Sequence, residues 1–279
     1  LYTLTEVLDG ENYIFTYDYD DFGRVIQHVL PSGFGYTNHY NEYGYIEEVI
    51  RSDNNEMIWQ PVQYDASGNL TKSVTGNGLV TVFGYDEYHR PEVIQTGTVQ
   101  NMEYSFKKET GNLMERIDHM TGNSEEFEYD ALNRLTDITV NNDPYLITYD
   151  NTGNITKKED SQIDEYLYDH PEKKHAVTKL LSSQYNPEDR EISFYSDGSL
   201  KGVLQGSIEL RIISGSDFSK VKSEIHKGKR LIKEKYYLPN YEKVIDHDSD
   251  DVYEYHYLPG GAIYKLSNGE NGNMLYTCV

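Results

Sequence analysis

Disulfides, long apolar segments and excess positive charge are all missing from this 279-residue sequence. Its single cysteine, Cys278, leaves no intramolecular disulfide to staple a small domain. No apolar run approaches the roughly 20 residues that cross a membrane as a helix, so we expect no membrane span. Lys and Arg number 25 against 47 Asp and Glu, a formal net charge of −22. A chain this acidic would repel a phosphate backbone, so we expect no nucleic-acid partner.

Aliphatic residues are also scarce. Hydrophobic residues make up 37% of the sequence, but 27 of them are tyrosines, which need a polar partner or water for the hydroxyl. A single thick globular core is therefore not expected, although an all-β chain of this length can still form one continuous unit.

A tyrosine-centred motif recurs along the first half of the chain, and successive aromatic positions lie 20 to 24 residues apart. The seven copies are Tyr19–Val25, Tyr40–Ile46, Tyr64–Leu70, Tyr85–Arg90, Phe106–Leu113, Tyr129–Leu135 and Tyr149–Ile155. The residues that define the motif are Tyr19, Asp20, Gly23, Arg24, Tyr40, Gly44, Tyr64, Asp65, Gly68, Tyr85, Asp86, Arg90, Gly111, Tyr129, Asp130, Arg134, Tyr149, Asp150 and Gly153. A nearly fixed period is typical of a repeat architecture.

Each copy predicts a tight turn. Asp or Asn caps its own backbone, and Gly or Asn follows at a position that can take a positive φ. Turn residues such as Ser32-Gly33 and Asn141-Asn142 lie midway between copies and predict a reversal at the opposite end. The segments between turns alternate and are rich in β-branched and aromatic residues, as in Leu79–Tyr85. Each period therefore predicts one hairpin of a continuous antiparallel meander, with little or no helix.

The repeated tyrosines allow two interpretations. Because the tyrosines recur at the repeat period, they predict a ladder of aromatic and aliphatic side chains. Such a ladder would stabilise a sheet that has no helix packed on it. Exposed, they could instead stack on sugars, which would make the chain an adhesin-like glycan-binding surface module. We favour the architectural role.

The motif resembles the YD repeat of Rhs proteins, bacterial wall-associated proteins, the C component of insecticidal toxin complexes, and teneurins. Tyr168–Thr178, which contains His-Ala-Val-Thr, resembles the segment that precedes the core of that family. Several copies depart from the pattern: His89 and Asn133 replace Gly, and Phe106 replaces Tyr. Four later segments resemble its pre-core strands, namely Ser193–Leu200, Ser214–Lys220, Lys235–Glu242 and His256–Tyr264.

The resemblance implies a curved, spiral β-shell that encloses a C-terminal effector, often a toxin, in a large exported or surface-attached bacterial protein. Residues 1–165 would be the repeat array, and residues 166–279 would be pre-core strands that continue the same sheet. The family's cleavage core and effector do not appear in the sequence, so we expect wall material from a longer protein. The partner would be the remainder of its own polypeptide, in an extracellular or cell-surface location.

An excised segment of shell should also have open sheet edges. We expect them near Tyr13–Tyr17 and Met274–Thr277, where unpaired backbone groups favour edge-to-edge self-association.

No residue pattern predicts catalysis. A nucleophile elbow, a paired zinc-ligand motif and a cysteine placed beside histidines are all absent from the sequence, so we expect no enzyme, metal or cofactor site. Asp246–Asp251 opens like a calcium loop, but Asp251 stands where glycine is needed, which favours an acidic hairpin turn.

One basic stretch, Lys220–Lys235, interrupts the acidic sequence. Its apolar residues could be read at helical spacing, which would predict a helix. Its lysines could also form a site for an acidic partner. Lys227-Gly228-Lys229 favours a third interpretation, the tip of a solvated hairpin.

Overall fold

A computed structural model describes residues 1–159, 163–182, 190–270 and 272–277. Within these ranges the chain is almost entirely antiparallel β-sheet, and no α-helix occurs in them. A single 3-10 turn, Pro259–Gly261, lies near the end of the chain. The predicted all-β hairpin meander is confirmed.

The first sheet contains 15 strands in sequence order. They are β1 Tyr2–Leu8, β2 Glu11–Tyr19, β3 Val25–Val29, β4 Gly35–Tyr40, β5 Ile46–Arg51, β6 Met57–Tyr64, β7 Leu70–Thr75, β8 Val80–Tyr85, β9 Pro91–Thr96, β10 Gln100–Phe106, β11 Leu113–Asp118, β12 Asn123–Tyr129, β13 Leu135–Val140, β14 Asp143–Tyr149 and β15 Ile155–Lys158. Every neighbouring pair is therefore a local hairpin, because each strand lies beside the one that follows it in the chain.

The second sheet contains 11 strands, also in sequence order. They are β16 Glu165–Leu167, β17 Lys179–Leu181, β18 Arg190–Phe194, β19 Leu200–Gln205, β20 Ile208–Ser214, β21 Lys220–Lys227, β22 Arg230–Leu238, β23 Tyr241–Asp246, β24 Asp251–Tyr257, β25 Ala262–Ser267 and β26 Asn273–Tyr276. We expected one sheet to run on past residue 165. In the described ranges a separate sheet starts at Glu165, and the segment between β15 and β16 includes residues outside those ranges.

The chain divides into two compact units. The first comprises Leu1–Met102, Leu238–Val244 and Asp251–Val279, and the second Glu103–Tyr237 and Ile245–Asp250. In the first unit the last strands of the chain pack with the first ones.

The core of the first unit joins residues that are far apart in the sequence. The Phe34 ring stacks on the Tyr264 ring with centroids 4.1 Å apart. Tyr13 and Tyr241 form a tilted pair at 6.1 Å. Phe15 and Ile58 are completely buried in the same cluster. This packing joins segments of the first sheet to strands of the second.

The expected N-terminal edge is wrong. Residues 13–17 lie inside β2. Strand β1 pairs antiparallel with β2 and covers its outer side, with Tyr2 opposite Tyr17 and Leu8 opposite Glu11. Tyr13 and Phe15 are buried in the core rather than exposed at an edge. The sequence signal for this extra strand was the β-branched and aromatic segment Tyr2–Leu8 followed by the Asp9-Gly10 hairpin turn.

Candidate functional site

The repeated turns are the feature that the sequence singles out, and the Asp20 turn illustrates their geometry. The backbone N–H of Asp20 donates to the Arg24 carbonyl, and that of Gly23 donates to the Asp20 carbonyl, both at 3.0 Å. Asp20 Oδ1 accepts the backbone N–H of Phe22 and of Arg24, each at 2.9 Å. Gly23 has φ of 77°. This is a three-residue hairpin loop closed by a residue in the left-handed region.

The same backbone hydrogen bonds recur at Asp65, Asp86, Asp130 and Asp150. The position with positive φ is glycine in most copies, but His89 and Asn133 adopt it at 63° and 58°. The replacements that the sequence marks as departures from the motif therefore leave the turn intact.

Hydrogen bonds inside these turns stabilise the charged carboxylates. A side-chain hydrogen bond from Thr152, followed by bonds from Asn154, lowers the pKa of Asp150 to about 2. Backbone and side-chain bonds from Arg134 lower the pKa of Asp130. Partial desolvation opposes the shift at Asp20, but the bonds from Arg24 outweigh it and its pKa is also lowered.

Arginine connects one repeat to the next. Arg24 Nε and Nη2 both lie 2.6 Å from Asp20 Oδ2, which fixes the guanidinium over its own turn. The same guanidinium lies 4.4 Å from the ring centre of Tyr40, the tyrosine of the following repeat. Tyr40 Oη then donates back to the carbonyl of Val25 at 2.9 Å. We call this arrangement of aspartate, arginine, tyrosine and carbonyl the repeat joint.

A second complete repeat joint lies in the other unit. Arg134 Nε is 2.7 Å from Asp130 Oδ2, and its guanidinium lies 4.5 Å from the Tyr149 ring centre. Tyr149 Oη donates to the Leu135 carbonyl at 2.8 Å. The joint thus serves copies more than a hundred residues apart in the sequence.

Where asparagine replaces arginine, the tyrosine half of the joint remains. Tyr85 Oη donates to the Leu70 carbonyl at 2.9 Å, although Asn69 occupies the arginine position. Asn69 Nδ2 instead lies 2.8 Å from His89 Nδ1 in the next turn. Asn112 makes the equivalent contact, donating to Asn133 Oδ1 at 3.1 Å.

Two copies differ further. Tyr45 replaces the arginine of the second copy, and its ring lies 6.1 Å from the ring of Tyr64 in a tilted pair. In the fifth copy the turn is one residue longer, and Gly111, with φ of 76°, donates its N–H to the Lys107 carbonyl. Tyr19, in the first copy, is half-exposed.

The sequence argument missed one member of the array. Tyr168 Oη donates to the Ile155 carbonyl at 2.9 Å, as Tyr40 and Tyr149 do to their partners. The signal was present, because Tyr168-Asp169 follows Tyr149-Asp150 by about one period.

A shift in strand register directly precedes the tyrosine of a repeat motif, where the tyrosine pairs with the following strand. Tyr19 lies opposite Val25, and Tyr129 lies opposite Leu135, each directly after an irregularity in the ladder. Such bulges increase the local twist and redirect a side chain. The motif therefore places its aromatic beside its own closing aliphatic residue and within reach of the previous repeat.

The remaining motifs lie in hairpins and their turns. Asp246–Asp251 connects β23 to β24 as a turn, and no cluster of three metal-ligating side chains occurs in the ranges that the structure describes. The basic stretch forms the predicted hairpin, with Gly228 at φ of 61° in its tip. It is not solvated throughout, since Lys222 is buried. Cys278 lies outside the described residues.

The turn glycines give a direct test of the repeat. Gly23→Val and Gly68→Val should each lower the free energy of unfolding by about 1 kcal/mol or more, because a β-branched residue is strained at positive φ. A Cβ at either position would meet nothing within 4 Å, so the cost comes from the backbone. Because the two turns are separate, the double variant should show nearly the sum in denaturant unfolding.

Ser67→Val, in the same turn as Gly68, is the matched control and should unfold near the parent midpoint. Equal midpoints for the parent and both glycine variants would refute the turn assignment.

Comparison with known proteins agrees with the repeat. The RHS repeat family model matches residues 64–99, which span the third and fourth copies of the motif. This match confirms the resemblance to Rhs and YD-repeat proteins. No curated protein sequence matches the chain.

Solved structures match over nearly the whole chain. A crystal structure of TcdB2–TccC3–Cdc42 aligns with a TM-score of 0.70 at 14% identity, over 94% of this chain and 16% of the matched chain. TcdB2–TccC3–TEV aligns with a TM-score of 0.68 at 14% identity, over 96% of this chain and 17% of the matched one. The chain thus has the fold of a segment of these much longer polypeptides.

Among the residues described here, no helix is long and apolar enough to cross a membrane.

Proposed function

Because the chain carries an RHS repeat and has the fold of a TcdB2–TccC3 segment, we propose that it is a non-catalytic part of a β-shell. The shell encloses a C-terminal effector polypeptide in a large exported or surface-attached bacterial protein. The repeat joint is the observation that carries this proposal, because it connects consecutive hairpins without using a catalytic or ligand-binding group.

A wall of hairpins needs the kind of stabilisation that the joint supplies. Cross-strand pairs contribute roughly 0.2–1 kcal/mol each, and a repeat array sums such terms between nearest neighbours. In the joint, the guanidinium of Arg24 contacts Asp20 of its own turn and Tyr40 of the next. The array can therefore extend by adding hairpins while each new hairpin brings its own contacts.

Enclosure predicts protection from proteases. In the full polypeptide that contains this chain, the segment downstream of the shell should resist limited proteolysis far longer than the same segment expressed alone. Arg134→Ala combined with Tyr149→Phe removes one repeat joint and should accelerate cleavage of the downstream segment. Gel electrophoresis and mass spectrometry measure the rate of that cleavage.

Arg211→Ala is the matched control, because it removes an exposed ion pair with Glu209 that lies outside the joints. Its cleavage rate should equal that of the parent. Cleavage of the downstream segment at the same rate in the full polypeptide and alone would contradict enclosure.

The glycan-binding alternative has one observation in its favour. Tyr43 and Tyr45 are 77% and 62% exposed beside each other on a turn. The tyrosines of the repeat joints, in contrast, have their hydroxyls bonded to carbonyls. Binding on a glycan array that is lost in Tyr43→Ser and Tyr45→Ser would support the adhesin role, whereas an array without signal favours the shell.

A further inference from the structure

A group of charged side chains in the second unit is not used by the repeat joints. Lys222 on β21 contacts two carboxylates at once. Its Nζ lies 2.5 Å from Glu234 Oε1 on β22 and 2.9 Å from Glu224 Oε1 on its own strand. The Lys222 and Glu234 side chains are only 10% and 11% exposed. Two carboxylates and one ammonium are thus removed from most of the surrounding water.

The strand register brings these groups to one face. Glu224 lies directly opposite Glu234, and Lys222 lies opposite Tyr236. Residues two apart on a strand point to the same side, so Lys222 reaches diagonally across the hairpin to Glu234. Because both strands fix the two backbones, little conformational freedom remains to be lost when the side chains react.

Two histidines hold the carboxylates in place. His247 Nε2 lies 2.8 Å from Glu234 Oε2, the oxygen that faces away from Lys222. His226 Nε2 lies 2.9 Å from Glu224 Oε2. Each carboxylate therefore presents one oxygen to a histidine and the other to the lysine.

We propose that Lys222 and Glu234 form an intramolecular amide bond, with Glu224 as the proton shuttle. The site contains a nucleophile, an electrophile, a base and a donor for the developing oxyanion, the groups that acyl transfer requires. The bond links β21 to β22 covalently in a chain whose single cysteine provides no disulfide.

The reaction balances without any further reactant. One proton passes from Nζ to Glu234 Oε1 along the short contact, which gives an amine and a carboxylic acid. Nζ attacks Cδ, and His247 donates to Oε2 as negative charge develops there. Glu224 accepts a second proton from Nζ and delivers it to Oε1. The Cδ–Oε1 bond breaks, water leaves, and Oε2 becomes the amide oxygen, while Nζ retains one proton.

The resting state is the ion pair, so the bond should form slowly and then persist. Burial favours the neutral forms, but hydrogen bonds from Lys222 and His247 outweigh it and keep the pKa of Glu234 below its ordinary value. The reactive amine and acid are therefore a minor population. Once the water has left, the amide persists because uncatalysed amide hydrolysis is very slow at neutral pH.

Intact-mass spectrometry of the purified, denatured chain tests the proposal. The expected species is lighter than the sequence mass by one water, and its fraction should grow during storage of the folded protein. Tryptic digestion should release a branched peptide in which Lys222 is joined to Glu234. Asp-Gly sequences such as Asp9-Gly10 can also lose water as succinimides, so the branched peptide is the decisive product.

Three variants complete the test. Lys222→Arg keeps the positive charge and should abolish the branched peptide. Glu224→Gln keeps the shape of the shuttle and should slow bond formation at least tenfold. Lys157→Arg, which alters an exposed ion pair with Glu159 at 2.8 Å, should leave the yield unchanged. A folded parent that keeps its full sequence mass on storage, or a water loss that persists in Lys222→Arg without a branched peptide, would overturn the proposal.

Discussion

Replacing Tyr241 by alanine should lower the free energy of unfolding by about 3–5 kcal/mol, the cost of removing a large aromatic from a packed core. Tyr241 is 2% exposed and contacts Tyr13 from the start of the chain. Its ring also meets the edge of His256 at 5.2 Å. The change therefore removes a contact between β2 and β23 within the first unit. Chemical denaturation followed by circular dichroism measures it.

Tyr241→Phe is the matched control for the ring. Tyr241 Oη donates to Glu254 Oε2 at 2.6 Å, and burial together with that carboxylate raises the pKa of the phenol. Removing only the hydroxyl should cost about 1.5–3 kcal/mol, the usual worth of a hydrogen bond to a charged group. If Tyr241→Ala cost no more than Tyr241→Phe, the ring would not contribute to the core as the structure indicates.

Acidification from pH 7 to pH 4.5 should destabilise the protein by on the order of 2 kcal/mol through His28. His28 is 3% exposed, stacks on Tyr17 at 4.3 Å and contacts Tyr36 Oη through Nδ1 at 3.1 Å. Its Nε2 is buried and has no hydrogen-bond partner among the described residues. Desolvation lowers the pKa of His28 from 6.5 to about 4.

The sign follows from the order of protonation. Between pH 6.5 and about 4 the unfolded chain binds a proton at this position that the folded chain does not, so stability falls as the pH falls. Burial also lowers the pKa of His256, partly offset by its hydrogen bond to the Tyr264 carbonyl, which adds in the same direction. The turn carboxylates, whose pKa values are lowered, lose their contribution only at more acidic pH.

His28→Phe should flatten this dependence, because it preserves the stacked ring and removes the titrating group. His39→Gln, at an exposed histidine, should leave the slope as in the parent. Urea unfolding at a series of pH values gives the comparison, and equal slopes for the parent and His28→Phe would show that His28 is not the origin of the effect.

The sequence predicted the hairpins well because turn chemistry is local. Asp20 and Gly23 specify a reversal through their own hydrogen bonds and φ value, with no information needed from elsewhere in the chain. The same local pattern predicted the hairpin at Gly228. The motif also predicted an aromatic ladder, but not that Tyr40 Oη donates to the Val25 carbonyl, since that depends on the bulge before the tyrosine.

Long-range packing could not be predicted in this way. Phe34 ends the turn before β4 and Tyr264 lies within β25, and nothing in either segment indicates that their rings stack across more than two hundred residues. The burial of Lys222 was missed for a similar reason. A lysine in a basic stretch is usually solvated, and only the register of β21 with β22 places Glu234 against Lys222, beside Glu224 of its own strand.

The repeat joint has a consequence for how such chains change in length over evolution. A complete period carries both an acceptor carbonyl for the tyrosine that follows and a tyrosine for the carbonyl that precedes, as Val25 and Tyr40 do. Loss or duplication of one whole period, for example by unequal crossing-over between similar gene segments, rejoins complementary ends and creates no unmatched surface. Gain or loss of a partial period separates a tyrosine from its carbonyl. Relatives of this chain should therefore differ in length by whole multiples of its repeat period, as expected of a repeat architecture.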